Sequence, residues 1–89
     1  MQVSIINKNH VIVRDTSIDV LFSYNTLVAG YDTLGAFVTN DWDKIKTTAK
    51  YVGVYMDTTA KDIRRRIITG DIRVIDANDI KLVVEQQTK

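Results

Sequence analysis

The chain has 89 residues, of which 45% are apolar and 26% charged, and its net charge is +1. These are the proportions of one small globular domain, and they exclude a disordered chain, a coiled coil and a collagen-like repeat. The lack of cysteine and the single histidine, His10, exclude a disulfide framework, a thiolate zinc site and a cysteine nucleophile. We therefore expect no cofactor and no metal. The apolar runs are far shorter than the ~20 residues of a membrane span, so we expect a cytoplasmic protein that does not contact a membrane.

The first forty residues predict an antiparallel β-meander of about five strands. Alternating apolar and polar residues at 2–6 and an apolar run at 11–13 flank the Asn-Lys-Asn sequence at 7–9, which is the signal of a hairpin. Further strands are predicted at 18–24, 27–31 and 36–39. Between the last two, residues 32–35 begin with Asp and end with Gly, as type I turns prefer.

Two helices are predicted after the meander. Apolar residues at helical spacing run from Ile45 to Met56, with Thr47 or Thr48 as alternative N-caps. A second helix begins at residues 59–62, where Thr-Ala-Lys-Asp resembles a capping box with Asp in place of Glu.

The second helix ends at Gly70, a residue suited to a left-handed C-cap. A strand is predicted at 72–75. Residues 80–87 fit either a strand paired with 72–75 or a helix, and their valine content favours the hairpin. The predicted fold is a single α+β domain over residues 1–89, with the antiparallel sheet packed against the helix pair and a C-terminal strand or hairpin.

Residues 48–75 have the order helix, short turn, helix, glycine, strand. Gly53 falls where the two helices of a helix-turn-helix cross closely. The stretch DIRRRIITGDI at 62–72 then resembles the recognition helix and the start of the wing in excisionase-like winged helices. This resemblance implies a protein that binds duplex DNA, with its second helix as the reader.

Basic charge is concentrated in the same segment. Residues 44–66 contain seven basic residues and two acidic ones, a net charge of +5, whereas residues 1–42 have a net charge of −2. On a helical wheel with Ile63 and Ile67 facing inward, Arg65 points outward, and guanidinium groups suit phosphate and guanine. Solvation of an ordinary surface helix is the alternative explanation. The predicted nucleic-acid contacts are Lys50, Lys61, Arg64, Arg65 and Arg66, with Lys44 and Lys46 as further phosphate contacts.

A second resemblance covers residues 20–56. The sequences SYNTLVA at 23–29 and TTAKYV at 47–52 are similar to motifs of short, uncharacterised phage and mobile-element proteins. Tyr51 stands where those proteins often have histidine. The resemblance implies an accessory protein that acts stoichiometrically in the host cytoplasm, either on phage DNA or on a host protein such as a defence nuclease.

The alternative function is an inhibitor or adaptor, such as an anti-CRISPR-like protein, that works by contact with a host protein. Aromatic residues dominate interface hot spots, and the candidates are Trp42, Tyr51 and Tyr55. Trp42, between Asp41 and Asp43, is the leading candidate, although burial in the core is the alternative for each bulky aromatic side chain. A homodimer would supplement the small core.

The sequence suggests no catalytic constellation. Ser4, Ser17 and Ser23 have no assigned histidine partner, and His10 lies beside a hairpin turn, where we expect it to face solvent. The chain also lacks a P-loop and a Gly-x-Gly-x-x-Gly motif. We therefore predict that the protein is not an enzyme.

Overall fold

The structure, a computed structural model, describes residues 2–76. In this part of the chain, five antiparallel strands follow one another in a sheet and two α-helices come after them. The predicted meander is confirmed. The five strands are β1 (Gln2–Asn7), β2 (His10–Arg14), β3 (Asp19–Ser23), β4 (Thr26–Asp32) and β5 (Gly35–Thr39).

The turn between β3 and β4 fixes the end of β3. Tyr24 and Asn25 form a two-residue loop with φ angles of 51° and 63°, and positive φ at both positions is the type I′ geometry that suits a hairpin. Ser23 and Thr26 pair across this loop. Ser23 is therefore held at a strand end, one residue before the predicted end of the strand.

The first helix is α1 (Lys46–Tyr55), but neither predicted threonine caps it. Its N-cap is Ile45, which makes no side-chain hydrogen bond to the first turn, and Thr48 is instead buried against the sheet. The helix ends at Tyr55 with Met56 as its C-cap, and the next residue, Asp57, has a φ of 57°. The N–H of Thr58 donates to the carbonyl of Gly53 at 2.8 Å, which closes a Schellman motif with Asp in the usual glycine position.

The second helix is α2 (Ala60–Thr69), and both of its predicted ends are confirmed. The Thr59 hydroxyl accepts a hydrogen bond from the N–H of Asp62 at 3.2 Å. The Asp62 carboxylate does not reach back to the cap as a capping box would; it accepts a hydrogen bond from the Thr58 hydroxyl at 2.7 Å. Gly70 ends the helix with φ of 86°.

The sheet is mixed because a sixth strand, β6 (Arg73–Ile75), pairs with β5 in parallel. Both helices lie in the connection between β5 and β6, and a connection that long allows parallel pairing. The strand predicted at 72–75 is therefore present as β6, and it joins the edge of the antiparallel meander in parallel. The alternatives for residues 80–87, including the hairpin with 72–75, lie outside the described residues.

Apolar side chains pack on both faces of the sheet. Ala49 and Val52 of α1 and Ile63 of α2 join one cluster with Leu21 and Val38. Strand alternation places Phe37 on the opposite face from Val38, where it packs in a second cluster with Ile18, Val20 and Leu27. The helices therefore cover one face of the sheet, and their opposite sides face away from it.

Candidate nucleic-acid interface and a buried polar cluster

A groove of about 790 Å³ lies where the first half of α1 meets α2. Its lining contains four cationic side chains and one carboxylate, that of Asp43. The three lysines are exposed. Lys44 forms an ion pair with Asp41 at 2.5 Å, so Lys46 and Lys50 supply most of the available lysine charge. We call this the basic groove, and its lining residues are Asp43, Lys44, Lys46, Thr47, Ala49, Lys50, Ala60 and Arg64.

Arg64 is the cation of the basic groove with the most fixed position. Its guanidinium carbon lies 5.4 Å from the centre of the Trp42 ring, over its face. Its Nε lies 3.8 Å from a carboxylate oxygen of Asp43. Stacking on an aromatic face orients a guanidinium and leaves its outer edge free. Arg64 can therefore present donors to an anion while it remains stacked.

The other two arginines of α2 are engaged by their own helix. Arg65 and Arg66 both form ion pairs with Asp62, the latter with Nε at 2.8 Å. Hydrogen bonds from Thr58 and Arg65 lower the pKa of Asp62 to about 2, so the carboxylate is ionised at neutral pH. Arg65, predicted as the central contact, is exposed as expected but is paired with an anion.

The five predicted nucleic-acid contacts are thus divided between three places. Lys50 and Arg64 line the basic groove. Lys61 and Arg65 line a separate, smaller depression beside Asp62. Arg66 lines neither the basic groove nor this depression. The basic surface is therefore centred on α1 and one arginine of α2, because Asp62 partly offsets the charge of the remaining arginines.

The three predicted interface aromatics lie inward. Trp42 is 5% exposed and belongs to the main core cluster, which corrects its placement as the leading interface residue. Tyr51 stacks on His10. The Tyr55 hydroxyl donates to Asp19, and burial together with that carboxylate raises the pKa of Tyr55.

His10 is buried rather than solvent-facing, with 1% of its surface exposed. The β2–β3 register places it opposite Ser23, and its Nε2 lies 3.0 Å from the Ser23 hydroxyl. Its Nδ1 lies 2.9 Å from the Asn7 side-chain oxygen. The Ser23 hydroxyl is also 2.8 Å from that of Thr48. The buried polar cluster is formed by Asn7, His10, Ser23, Thr48 and Tyr51.

The hydrogen bonds of Asn7 determine the His10 tautomer. The Asn7 side-chain oxygen accepts from the N–H of Asn9 at 2.9 Å, and its NH₂ donates to the Tyr51 hydroxyl at 3.0 Å. Because this oxygen is an acceptor, Nδ1 of His10 must carry the proton and Nε2 must be the acceptor. The Ser23 hydroxyl therefore donates to Nε2, and Thr48 donates to the Ser23 oxygen.

Burial also lowers the pKa of His10 below its usual value of 6.5, which keeps the ring neutral at neutral pH. The expectation that no serine has a histidine partner is corrected by this cluster. Arg14 and Asp19 pair across β2 and β3 at 2.8 Å, in the same register that aligns His10 with Ser23.

Comparison with known families gives a match over residues 1–70. The chain belongs to DUF8033, a family of unknown function. The match includes all five antiparallel strands and both helices. No curated protein and no solved structure was found to match the chain.

Neither helix of residues 2–76 is long and apolar enough to cross a bilayer. The same range holds no group of three or more acidic or histidine side chains that could bind a metal ion.

Proposed function

We propose that this DUF8033 protein is a small phage-type accessory or regulatory protein that binds duplex nucleic acid. In this proposal, the phosphate backbone of the nucleic acid lies in the basic groove. The observation that carries the proposal is the convergence of Lys44, Lys46, Lys50 and Arg64 on one groove that contains a single carboxylate. Phosphate neutralisation by lysine and arginine supplies most of the free energy of sequence-independent binding.

The composition of the groove favours contact with phosphates over contact with base edges. Lysine ammonium groups act as mobile point charges, whereas the planar fork of arginine can bind two acceptors at once. Three of the four cations are lysines, and Arg64 is the one group whose orientation is fixed by stacking on Trp42. Binding is therefore expected to depend strongly on salt and weakly on sequence.

In this proposal, the nucleic acid contacts α1 and Arg64, and the segment after Gly70 does not act as a wing. The strand after Gly70 is paired with β5 in the sheet, so it has a structural partner of its own. Lys61 and Arg65 lie beside the groove on α2 and extend the positive surface, with the charge of Arg65 offset by Asp62.

Fluorescence anisotropy with a short labelled DNA duplex tests the proposal. The logarithm of the association constant should fall linearly with the logarithm of salt concentration between about 50 and 200 mM. The double variant Lys46→Gln/Lys50→Gln removes two groove cations and should lower the steepness of that line by about two, at roughly 0.9 per phosphate contact.

Lys8→Gln is the matched control, because Lys8 is also an exposed lysine but lies in the β1–β2 turn. It should leave the slope unchanged. If the unaltered protein does not bind any duplex at low ionic strength, or if both variants change the slope equally, the groove is not a nucleic-acid interface.

One observation favours the alternative of an inhibitor or adaptor that contacts a host protein. In the sheet formed by residues 2–76, β1 is an edge strand, and it contains no charged residue. Val3, Ile5 and Ile6 on it are exposed. Natural sheets usually protect such edges with charge, and an open edge can accept an extended segment of a partner.

This alternative is tested by pull-down from nuclease-treated host lysate. Ile5→Lys places a charge on the edge and should release a stoichiometric partner, while Leu34→Lys, in the exposed β4–β5 turn, should retain it. A partner kept equally by both variants would contradict recognition through β1.

A further inference from the structure

Ser23 forms part of the wall of a cavity of about 280 Å³. Ile45 and Thr48, from the start of α1, line the same cavity together with Thr26 and Val28 of β4. Ser23, which is buried, is thus bonded to His10 on one side and lines a space that opens to solvent on the other. This arrangement places a hydroxyl, a neutral imidazole and room for a small ligand together.

The geometry points to an acyl-transfer site in which Ser23 is the nucleophile, His10 its general base and Asn7 the positioning residue, with short-chain carboxylic esters as the substrate class. A serine hydroxyl is a weak nucleophile until an adjacent base accepts its proton, and a third group usually orients that base. The expectation that the protein is not an enzyme rested on Ser23 having no such partner.

The three groups have the orientation that this chemistry needs. The Ser23 hydroxyl donates to Nε2 of His10 at 3.0 Å, and Nδ1 donates to Asn7 at 2.9 Å. Both distances lie within the ~2.6–3.2 Å range expected of a nucleophile, its base and the orienting group. Asn7 is itself held by the N–H of Asn9, so the acceptor nitrogen of His10 stays directed at Ser23.

Three features can stabilise the charges that develop during the reaction. The Thr48 hydroxyl is a donor 2.8 Å from the Ser23 oxygen, and Thr48 belongs to the first turn of α1. The N–H groups of a first turn lack intrahelical partners, and Ile45 provides no side-chain cap for them. The Tyr51 ring, stacked on His10 at 3.8 Å between centres, favours a transient imidazolium.

The reaction is ester hydrolysis in two balanced steps. In the first, a bond forms between the Ser23 oxygen and the ester carbonyl carbon, the Ser23 proton passes to His10, and the alcohol leaves with that proton. In the second, His10 takes a proton from water as the water oxygen attacks the acyl-serine. The carboxylic acid departs, and the proton returns from His10 to Ser23.

The size of the cavity limits the acyl group. A volume of about 280 Å³ falls just below the ~300 Å³ at which pockets for drug-sized ligands begin. Its lining combines the apolar side chains of Val28 and Ile45 with the charged pair Asp41 and Lys44, so the apolar part has room for a short alkyl chain only. Acetyl and propionyl esters are therefore the expected substrates, and long-chain esters are not.

The test uses p-nitrophenyl acetate with the full chain, followed by peptide mass spectrometry. The expected results are release of p-nitrophenolate and an acetyl group on the peptide that contains Ser23. This measurement needs no variant, so it remains decisive even if substitutions in the cluster unfold the protein. Acetylation confined to lysines or the amino terminus, with Ser23 unmodified, would overturn the proposal.

Variants then assign the roles. Ser23→Ala should abolish acyl-enzyme formation, and His10→Gln should slow it by about 10²–10⁴-fold, the usual contribution of a general base. Ser17→Ala, at an exposed serine outside the cluster, is the matched control and should react like the unaltered chain. Equal rates for Ser23→Ala and Ser17→Ala would contradict a nucleophilic role.

The pH–rate profile tests whether Asn7 positions His10. Asn7→Asp keeps an acceptor for Nδ1 and should retain acylation, but its carboxylate stabilises the imidazolium and should move the midpoint of the pH–rate profile upward. Tyr24 and Tyr51 are the titratable groups in ring contact with His10. An unchanged midpoint would show that Asn7 does not act through His10.

Discussion

The buried polar cluster and the basic groove are both built on α1, on different faces of the helix. Thr48 and Tyr51, three residues apart, face the sheet and join the cluster, whereas Lys46 and Lys50, four residues apart, line the groove. Burial fixes the orientation of the first pair through hydrogen bonds, and exposure leaves the second pair mobile and screened by salt. One helix therefore carries a geometrically defined site and a purely electrostatic one.

The largest expected difference between the two regions is in stability. His10→Ala removes a buried ring and takes one hydrogen-bond partner from each of Asn7 and Ser23, so it should lower the free energy of unfolding by about 2–4 kcal/mol. Lys50→Gln, in the groove, should change it by no more than about 0.5 kcal/mol. Urea denaturation measures both, and similar values for the two variants would show that the cluster does not hold α1 on the sheet.

The response to pH should also separate the cluster from the surface. Burial lowers the pKa of His10 in the folded protein, so below the usual value of 6.5 the unfolded chain binds more protons than the folded one. The free energy of unfolding should therefore fall as pH is lowered through 6.5, down to the folded-state pKa.

The α2 surface contributes in a different pH window. The folded-state pKa of Asp62 is about 2, below its usual value of 3.8. Its stabilisation is therefore complete above roughly pH 5 and is lost as the pH falls toward 2. Urea denaturation of the unaltered chain and of His10→Gln over both windows separates the two groups: His10→Gln should lose only the change near pH 6.5. A His10→Gln profile that keeps that change would assign it to another group.

The smallest expected effect lies within the basic surface. Arg64→Gln removes a groove cation, whereas Arg65→Gln removes one whose charge is offset by Asp62. Arg64→Gln should lower the salt dependence of duplex binding by about 0.9, the value for one phosphate contact, and Arg65→Gln should lower it by less. Anisotropy titrations measure both changes. A larger reduction for Arg65→Gln than for Arg64→Gln would show that the outer face of α2, rather than the groove, contacts the nucleic acid.

Local features of the fold could be predicted from the sequence because short-range patterns determine them. Alternating residues and turn signals located β1 to β5, and Thr59 and Gly70 located both ends of α2. The first turn of α1 was misassigned, since a threonine that satisfies the cap pattern can also be buried against the sheet, as Thr48 is.

The candidate sites depended on contacts between distant parts of the chain. The groove needs lysines of α1 beside Arg64 of α2, and the cluster needs β1, β3 and α1 around His10. Helical wheels describe one helix at a time, so they indicated that Arg65 faces outward without showing its ion pair with Asp62. Only the assembled sheet shows that the single histidine and Ser23 are partners.

Titration of isotopically labelled protein with a short DNA duplex at low salt, followed by amide and side-chain NMR, tests nucleic-acid binding by the basic groove most directly. The expected result is a set of shift changes centred on Lys46, Lys50 and Arg64 that fades as salt is raised, with β1 unaffected. Shift changes centred on β1, or none at all, would contradict the proposed function.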